Sequence, residues 1–403
     1  MITKSIRLFG RELYRVERDR SGEFTYSFVL DGEGFSNSAN YLDMSLNNYV
    51  LMTTIMMRSR LYSQMKIKHL NSKGEEIQNS PYLSLLAQPN YFQSQEDWLF
   101  QQMWFLSATG NNVIYEVKVS TNELPKSLYN LVPSEIDFKN IDKTNKFIDS
   151  AKDKKSFGEK EFVYTLDNQK YNIKIKDSVF LFDMGNGLKK NSFLKSESRV
   201  KGLVKVLDNL DRNLISKNRN LEFSAKYIGQ NKSTGNEAQI QDKDRKSIER
   251  VLSQKDVLTT NANIEYRHLV SDMKRLYLDE QAADDANKVL LAFELDKNVL
   301  NYFAKDSTFE NKNQGIISVI QNSIQTTANN TMNSLSSQWG LIEKGERLVA
   351  SYDHMAVMQS IVNEKIKSFN EMQIAIKQAL ENGTMTVAEA KKMSDSLKLK
   401  LGL

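Results

Sequence analysis

The sequence predicts an α+β protein, in which a strand-rich first half is followed by long helices. Short β-like runs such as NVIYEVKV, YNIKIK and SVFLFDM recur between residues 112 and 184 and are bounded by turn-forming residues. All four prolines lie between residues 81 and 133, so proline interrupts no helix in the C-terminal two-thirds of the chain. With 403 residues, the chain is long enough for two or three domains.

Composition and charge narrow the function classes. The net charge of +5 results from 55 basic and 50 acidic residues, an excess too small for a protein that binds nucleic-acid phosphates tightly. The chain contains no cysteine, which excludes disulfides and thiolate metal sites, and its three histidines are too far apart in sequence to form a ligand pair. No apolar run reaches the length of a membrane span. We expect neither a metal site nor a cofactor.

The first elements are a β-like run, TYSFVL at residues 25–30, and a helix at residues 41–65 with apolar side chains at helical spacing. A short helix then ends at Pro89 and Asn90, because the residue before a proline disfavours helical geometry. The predicted buried stripe of the helix at 41–65 consists of Leu42, Leu46, Val50, Thr53 and Met57.

Residues 94–117 predict a helix followed by a strand. Ser94 is a suitable N-cap, and Asp97 lies three residues later, near the positive end of the helix. Gly110 fits the position just after the helix, where a left-handed backbone is needed. A phosphate-binding loop would precede a helix and offer its amides there, whereas this TGNN turn follows a helix and leads to a strand. We therefore interpret the turn as a structural corner.

The second half predicts two long helices around a small α/β insert. Residues 195–220 are amphipathic at helical period, and residues 271–298 form the second helix with Ser271 as its N-cap. The first helix carries seven basic and three acidic residues, and the second carries seven acidic and four basic residues. Two interpretations stay open. The helices attract one another through solvated faces, or the second helix turns an acidic face towards a ligand that it must not hold.

No charged side chain occurs between residues 313 and 339, although an apolar stripe at helical spacing runs through them. A long uncharged helix is unusual at a solvated surface and suggests burial against other subunits or a channel. A strand in ERLVASYDHM follows, and the chain closes with helices, one of which begins at the capping box of Thr386 and Glu389. The predicted stripe consists of Ile316, Ile317, Ile320, Ile324, Met332 and Leu335.

Three motifs in this order resemble the tailed-bacteriophage portal proteins of the HK97-like type. SPYLSLLAQPNYFQSQEDWLFQQMWFLSATGNNVIYEV is similar to that family's leucine-rich helix ending in Pro-Asn, its next helix and its Gly-Asn turn into a strand. DSTFENKNQGIISVIQNSIQTTANNTMNSLSSQW resembles its Ser-Thr-Tyr-x-Asn segment, with Phe309 in place of Tyr. ALENGTMTVAEAKKM resembles its closing G-x-x-T-x-x-E-x-R, with Lys391 in the last place. The resemblance covers about residues 40–395.

The resemblance implies a portal fold and a ring, usually of twelve copies, around an axial channel for double-stranded DNA. The implied parts are a wing, two paired stem helices, an α/β clip, a tunnel loop, a long helix that returns to the wing, and a C-terminal helical crown. These parts correspond, in the same order, to residues 1–194, 195–221 with 269–302, 222–268, 303–315, 316–354 and 355–403.

Within these parts, we expect acidic residues of the second stem helix to line the channel, repel the DNA backbone and keep the duplex centred. The tunnel-loop lysines either touch phosphates transiently or are ordinary loop residues. The basic clip residues either contact a packaging motor or a tail adaptor, or form a solvated helix face. The candidates are Asp279, Glu280, Asp284 and Asp285 for the channel wall, Lys305, Asp306, Lys312 and Asn313 for the tunnel loop, and Lys243, Arg245, Lys246 and Arg250 for the clip.

The resemblance further implies a place at a unique capsid vertex of the virion and assembly in the host cytoplasm. The implied partners are the terminase large subunit, a head-tail adaptor and the major capsid protein, and no membrane is involved.

An enzyme is one alternative, in particular one that processes nucleic acid. However, the chain contains no Walker-type motif, no G-x-S-x-G and no histidine-rich metal pattern, and we expect no catalytic residues. The adjacent Asp284 and Asp285 point about 100° apart on a helix, which is poor geometry for a two-metal nuclease. A non-portal oligomeric scaffold protein is the other alternative. It explains the helices but leaves the strand-rich first half unexplained.

Overall fold

The chain divides into two units, the first formed by residues 1–201 and 293–403 and the second by the intervening residues 202–292. Within the described ranges, every helix is too short or too polar to span a membrane. The computed structural model describes residues 2–8, 11–18, 24–28, 36–119, 124–138, 157–188, 194–224, 227–231, 264–268, 278–300, 309–382, 384–386 and 389–394.

Helices dominate the second half of the chain, as its lack of proline predicts. A π-helical segment, Ile320–Ile324, joins two of the helices into one long rod. In chain order the helices are α1 (Ser36–Asn47), α2 (Tyr49–Ser63), α3 (Pro81–Ala87), α4 (Gln95–Thr109), α5 (Arg199–Ser224), α6 (Leu278–Ala292), α7 (Lys297–Leu300), α8 (Phe309–Val319), α9 (Gln325–Gln338) and α10 (Ala356–Glu381).

All strand pairs are antiparallel. Unit 1 contains three three-stranded sheets of order β1-β2-β3, β10-β5-β6 and β7-β8-β9 and the pair β4-β13, and unit 2 contains the pair β11-β12. The strands are β1 (Ile2–Leu8), β2 (Arg11–Arg18), β3 (Phe24–Phe28), β4 (Lys66–Leu70), β5 (Asn111–Val117), β6 (Ser127–Leu131), β7 (Ile136–Asp137), β8 (Glu161–Leu166), β9 (Gln169–Lys174), β10 (Ser178–Phe182), β11 (Tyr227–Asn231), β12 (Ile264–His268) and β13 (Arg347–Ser351).

Helices α2 and α4 pack together in antiparallel orientation in the core of unit 1. The Gln95 side-chain amide, at the start of α4, donates to the Met65 carbonyl just after α2 at 3.1 Å. At the other end, the Arg58 guanidinium donates to Ser107 Oγ at 3.2 Å. Trp98 of α4 is fully buried, so this helix supplies a large part of the core against which the central sheet, β10-β5-β6, packs.

The prediction of one helix over residues 41–65 is wrong in two respects. The chain breaks at Asn48, whose side-chain carbonyl accepts a hydrogen bond from the Leu51 amide at 3.0 Å and caps α2. The predicted stripe is also displaced around the helix, since Leu46 is 59% exposed. The buried face carries polar as well as apolar side chains, so hydrophobic spacing alone could not locate it. Its members in α2 are Leu51, Thr54, Ile55, Arg58, Ser59, Leu61, Tyr62 and Ser63.

Other local predictions are confirmed. Helix α3 begins at Pro81 and ends before Pro89, and Ser94 Oγ accepts from the Asp97 amide at 3.2 Å to cap α4. The Thr386 amide donates to Glu389 Oε2 at 3.0 Å, which is half of the predicted capping box. The strands around TYSFVL, NVIYEVKV, YNIKIK and SVFLFDM and the strand within ERLVASYDHM lie where the sequence predicts them, whereas β1 and β2 were not predicted.

The long uncharged helix is confirmed, with a change of phase in its middle. Ile320, Ile324 and Met332 of the predicted stripe are fully buried, whereas the more N-terminal Ile316 is only partly buried. The π-helical segment adds a residue to one turn and rotates the two halves of the rod relative to each other. The helix begins at Phe309, within the segment 303–315 assigned to the tunnel loop.

Gly110 forms the predicted corner between α4 and β5. Its φ of 79° lies in the left-handed region, and its amide donates to the Leu106 carbonyl at 2.8 Å. A second constraint comes from the chain segment that passes over it, because a Cβ on Gly110 would overlap the carbonyl oxygen of Glu197 and lie 3.2 Å from the Ser198 nitrogen. Only glycine satisfies both the backbone angle and this close approach.

We expect Gly110→Ala to lower the free energy of unfolding by more than Gly185→Ala does. Gly185 has a similar φ of 84°, so alanine loses about 1–2 kcal/mol through backbone strain at either position. A Cβ at Gly185 meets nothing within 4 Å, whereas one at Gly110 collides with the Glu197 carbonyl. Urea denaturation of both variants measures the difference. Equal losses would contradict the requirement for close approach at Gly110.

Candidate functional site

The paired helices α5 and α6 of unit 2 are the candidate channel segment. Each buries an apolar face and contributes polar side chains to a groove of about 410 Å³ between them. The buried apolar residues of the pair include Leu203, Leu207 and Leu210 on α5 and Ala286, Val289 and Leu290 on α6. The groove is lined by Asn209, Arg212, Asn213, Gln281, Asp284, Asp285 and Lys288.

The four acidic residues predicted for the channel wall have different environments. Glu280 and Asp284 are exposed, whereas Asp285 is only 8% exposed and lies against the groove. Asp279 is part of α6, but its side chain lies outside the described side chains. In a single copy, therefore, an exposed acidic surface is described only for Glu280 and Asp284 among these four.

Lys288 offsets part of this negative charge. Its ammonium lies 2.7 Å from Asp284 Oδ2 and 2.9 Å from Asp285 Oδ1, one turn away along the helix. Hydrogen bonds to Asp284 and then Asp285 raise the pKa of Lys288, so it stays charged. The three side chains together carry one negative charge rather than two, which moderates any repulsion that they exert on a polyanion.

The other predicted site residues are only partly described. Lys312 is exposed near the start of α8, and Asn313 beside it is partly buried. Outside the described residues lie Lys305 and Asp306 of the tunnel loop and Lys243, Arg245, Lys246 and Arg250 of the clip.

The segment that leads into α5 is fixed to the Gly110 corner by reciprocal hydrogen bonds. The Asn111 side-chain amide donates to the Ser196 carbonyl at 2.9 Å, and the Ser196 amide donates to Asn111 Oδ1 at 2.6 Å. Ser198 Oγ donates to the Ala108 carbonyl at 2.7 Å and accepts from the Val200 amide at 3.0 Å. The TGNN turn therefore sets the position at which α5 begins.

A buried ion-pair network completes this anchor. Asp183 directly follows β10, and its fully buried carboxylate accepts from Arg58 Nη2 at 2.8 Å and from Arg199 Nε at 2.5 Å. Arg199 Nη1 also donates to Glu294 Oε1 at 2.9 Å. Arg199 lies just before the chain leaves unit 1, and Glu294 lies just after it returns, so this contact joins the two unit 1 segments that flank the insert.

The charge state of Asp183 follows from competing effects. Burial disfavours its charged form, but the guanidinium groups of Arg58 and Arg199 outweigh this cost and hold its pKa below the ordinary value of 3.8. Its backbone amide donates to the Gly110 carbonyl at 3.0 Å, which links the ion pairs to the corner. The network is therefore both charged and geometrically constrained.

The end of the long helix is held by a second buried carboxylate. Glu116 of β5 accepts from Trp339 Nε1 at 2.6 Å and from Gln338 Nε2 at 3.0 Å, and Lys118 lies 2.6 Å from it. Tyr82 stacks on Trp339 with ring centroids 5.4 Å apart. These contacts fix the C-terminal end of α9 to the central sheet of unit 1.

The sequence reasoning missed Asp183 and Glu116 as anchors. Each is an acidic residue at the end of, or within, an apolar strand, and that placement is the one available signal, since such residues are rarely buried without a partner. Among the described residues, no group of His, Asp and Glu is arranged to hold a metal ion.

We expect Asp183→Asn to lower the free energy of unfolding by roughly 3–5 kcal/mol, because it leaves the buried Arg58 guanidinium without a countercharge and leaves Arg199 paired with Glu294 alone. Glu159→Gln is the matched control, since Glu159 also bridges two cations, Lys174 and Lys176, but its side chain is 53% exposed. Urea denaturation at neutral pH should show little change for this control. Similar losses for both variants would contradict the importance of burial.

Comparison of the wild type with Asp183→Asn also tests the lowered pKa of Asp183. Because the pKa is lowered on folding, the stabilisation by Asp183 is present above the unfolded value of 3.8 and is lost as the pH falls through the lower folded value. The stability difference between wild type and Asp183→Asn should therefore shrink below about pH 3.8. A difference that is constant down to pH 2 would contradict this assignment.

Comparisons with known proteins give the fold and family. A chain from the neck of an empty gene transfer agent particle, computed with C6 symmetry, is 12% identical with a TM-score of 0.62, over 89% of this chain and 93% of that chain. A chain from the neck of a native gene transfer agent particle, computed with C12 symmetry, is 12% identical with a TM-score of 0.61, over 92% and 94%. A search of curated protein sequences found no match.

The family comparison covers most of the sequence. The family model described as phage portal protein matches residues 50–395. This range includes all but the first residue of α2, all of α3 to α10, both anchors and the helical pair of unit 2. The chain therefore belongs to the phage portal protein family.

Proposed function

We propose that the chain forms a ring of twelve copies at a unique capsid vertex, and that double-stranded DNA passes through the ring during packaging and ejection. The observation that carries this proposal is the family match over residues 50–395. The similarity in fold to a neck chain computed with C12 symmetry supports the number twelve. The protein belongs to a structural family, and the proposed role requires no catalysis.

Helices α5 and α6 are the proposed wall of the channel. Duplex DNA must slide past this wall, and each Lys or Arg that neutralises a phosphate adds salt-dependent affinity that slows sliding. The exposed Glu280 and Asp284 repel phosphates instead, while Lys288 limits that repulsion. A weakly acidic wall of this kind, repeated in each copy, keeps the duplex centred.

The remaining parts have partner roles in this proposal. The clip at residues 222–268 docks the terminase large subunit during packaging and a head-tail adaptor afterwards, and Lys243, Arg245, Lys246 and Arg250 are its contact residues. Unit 1 holds the ring in the shell of major capsid protein. Lys305, Asp306, Lys312 and Asn313 contact DNA transiently. Assembly takes place in the host cytoplasm, and the finished ring is part of the virion.

The purified chain should form rings with a central hole in negative-stain micrographs, and native mass spectrometry should give about twelve times the mass of one copy. The physical reason is that heterologous contacts between identical copies close into a ring when the rotation from one copy to the next allows it. A stable monomer with enzymatic turnover would contradict the proposal in favour of an enzyme. Filaments would contradict it in favour of a scaffold protein.

Reversing the exposed charges of the proposed wall should slow DNA translocation without preventing ring formation. In the double variant Glu280→Lys with Asp284→Lys, each copy offers new cations to the phosphates, so packaging should slow, most clearly at low salt. Asp285 is left unchanged, because a lysine there would be buried in the groove. The measurement is the rate of DNA packaging into purified capsids that carry each variant ring.

A control separates wall charge from total charge. Glu371→Lys with Glu343→Lys changes the net charge equally at exposed positions of unit 1. This control should package at the wild-type rate. If both double variants package like the wild type, Glu280 and Asp284 do not form the channel wall.

A further inference from the structure

Tyr91 and Phe92 form an unusually exposed aromatic pair. They are 87% and 81% exposed, which makes them the most exposed large apolar side chains among the described residues. Their rings meet edge to face, with centroids 5.3 Å apart and an interplanar angle of 87°. Burying such side chains removes ~150–250 Å² each from water, so their exposure in a single copy indicates a surface that is covered in the assembled protein.

The backbone beneath the pair is held rigidly. Asn90 is 4% exposed, and its side-chain amide donates to the Leu128 carbonyl at 3.0 Å and to Gln93 Oε1 at 2.9 Å. Its side-chain oxygen accepts from the Phe92 amide at 3.0 Å, and the Leu128 amide donates to the Pro89 carbonyl at 2.8 Å. The aromatic rings are thus presented on a fixed turn, which reduces the entropy lost when a partner binds them.

The surrounding sequence identifies the chemistry of the partner. Residues 77–95 contain no charged side chain, and this pattern of aromatic residues without charges is typical of the core of a protein–protein interface. DNA does not fit, because single strands that stack on aromatic residues also require a basic groove, and the bases of a duplex are already stacked. The partner is therefore a protein with an apolar surface.

A second apolar patch lies at the other end of the same helix pair. Leu46 and Tyr49 flank the break between α1 and α2 and are 59% and 58% exposed. They lie near the C-terminal half of α4, since Trp104 Nε1 donates to Ser45 Oγ at 3.1 Å. Tyr91 and Phe92 precede the N-terminus of α4, so the two patches lie at opposite ends of the antiparallel α2–α4 pair.

We propose that Tyr91 and Phe92 of one copy pack against Leu46 and Tyr49 of the next copy in the ring. A ring requires heterologous contacts, in which each copy presents two different surfaces that complement one another. An aromatic pair on a rigid turn at one end of a helix layer, and an apolar patch at the other end, meet this requirement. The inference rests on the ring proposed above and names its subunit contact.

The positions of the two apolar patches favour a second copy of this chain over another virion protein as the partner. A contact with a different protein would need only one apolar patch, whereas this helix pair carries one at each end. Large aromatic side chains at the centre of an interface account for most of its binding energy. Tyr91 and Phe92 therefore serve as the anchor of the subunit contact.

The first test is chemical cross-linking, which is possible because the chain contains no cysteine. In the variant Leu46→Cys with Phe92→Cys, a bis-maleimide linker should join neighbouring copies and give a ladder of covalent oligomers on a denaturing gel. The linker tolerates a looser separation than a disulfide does. Each single variant should give at most dimers, and the pair Leu46→Cys with Tyr171→Cys should give no ladder.

The second test removes the aromatic rings. The variant Tyr91→Ser with Phe92→Ser should raise the protein concentration needed for ring assembly by roughly tenfold or more. The Asn90 hydrogen bonds remain, so its thermal unfolding as a monomer should be unchanged. Tyr171→Ser, which removes an exposed tyrosine of β9, is the control and should assemble like the wild type.

The outcomes distinguish this inference from the proposed function. If the wild type forms rings but the cysteine pair gives no ladder and the serine variant assembles normally, the subunit contact is overturned and the portal role stands. If the serine variant forms normal rings that no longer enter shells of major capsid protein, the aromatic pair faces the capsid and the inference is likewise overturned. If the wild type forms no ring, both proposals fail.

Discussion

The buried contact between Asp183 and two arginines is the constraint on which the rest of the molecule depends. Arg58 comes from the core helix α2, and Arg199 comes from the first turn of α5, so one carboxylate ties the core of unit 1 to the start of the long helix. Removing these charges from water costs free energy, which the direct contacts between Asp183 and the two guanidinium groups offset. The Gly110 corner supplies that geometry, because its carbonyl accepts the Asp183 amide and its missing Cβ admits the segment before α5.

A second buried carboxylate, Glu116, holds the C-terminal end of the long uncharged rod. Glu116 accepts hydrogen bonds from Gln338 and Trp339, which fixes the C-terminal end of α9 to β5. The fixed end contrasts with the π-helical segment in the middle, where the helical phase changes and Ser323 is buried. Such a segment lets the two halves of one helix satisfy different packing surfaces. The C-terminal half of the rod can therefore bury one face against α2 and β13, while the N-terminal half buries a different face.

Local signals made much of this fold predictable, and long-range contacts account for the rest. Pro81, Ser94 and Gly110 act on their own neighbours through backbone geometry and capping, so the sequence predicts the elements that they bound. Asp183 and Arg58 form an ion pair although they are 125 positions apart in the sequence, and no local sequence pattern predicts such a pair. The break at Asn48 depends on one capping side chain within an unbroken apolar pattern. The charge split between the two long helices was readable, but the burial of Asp285 depends on how those helices face each other.

The ion pair between Arg199 and Glu294 also has an evolutionary consequence. It joins two residues of unit 1 that are 95 positions apart and flank residues 202–292 in the sequence. Residues 202–292 can therefore lengthen, shorten or be replaced by a different insert while the remainder of the subunit keeps its packing.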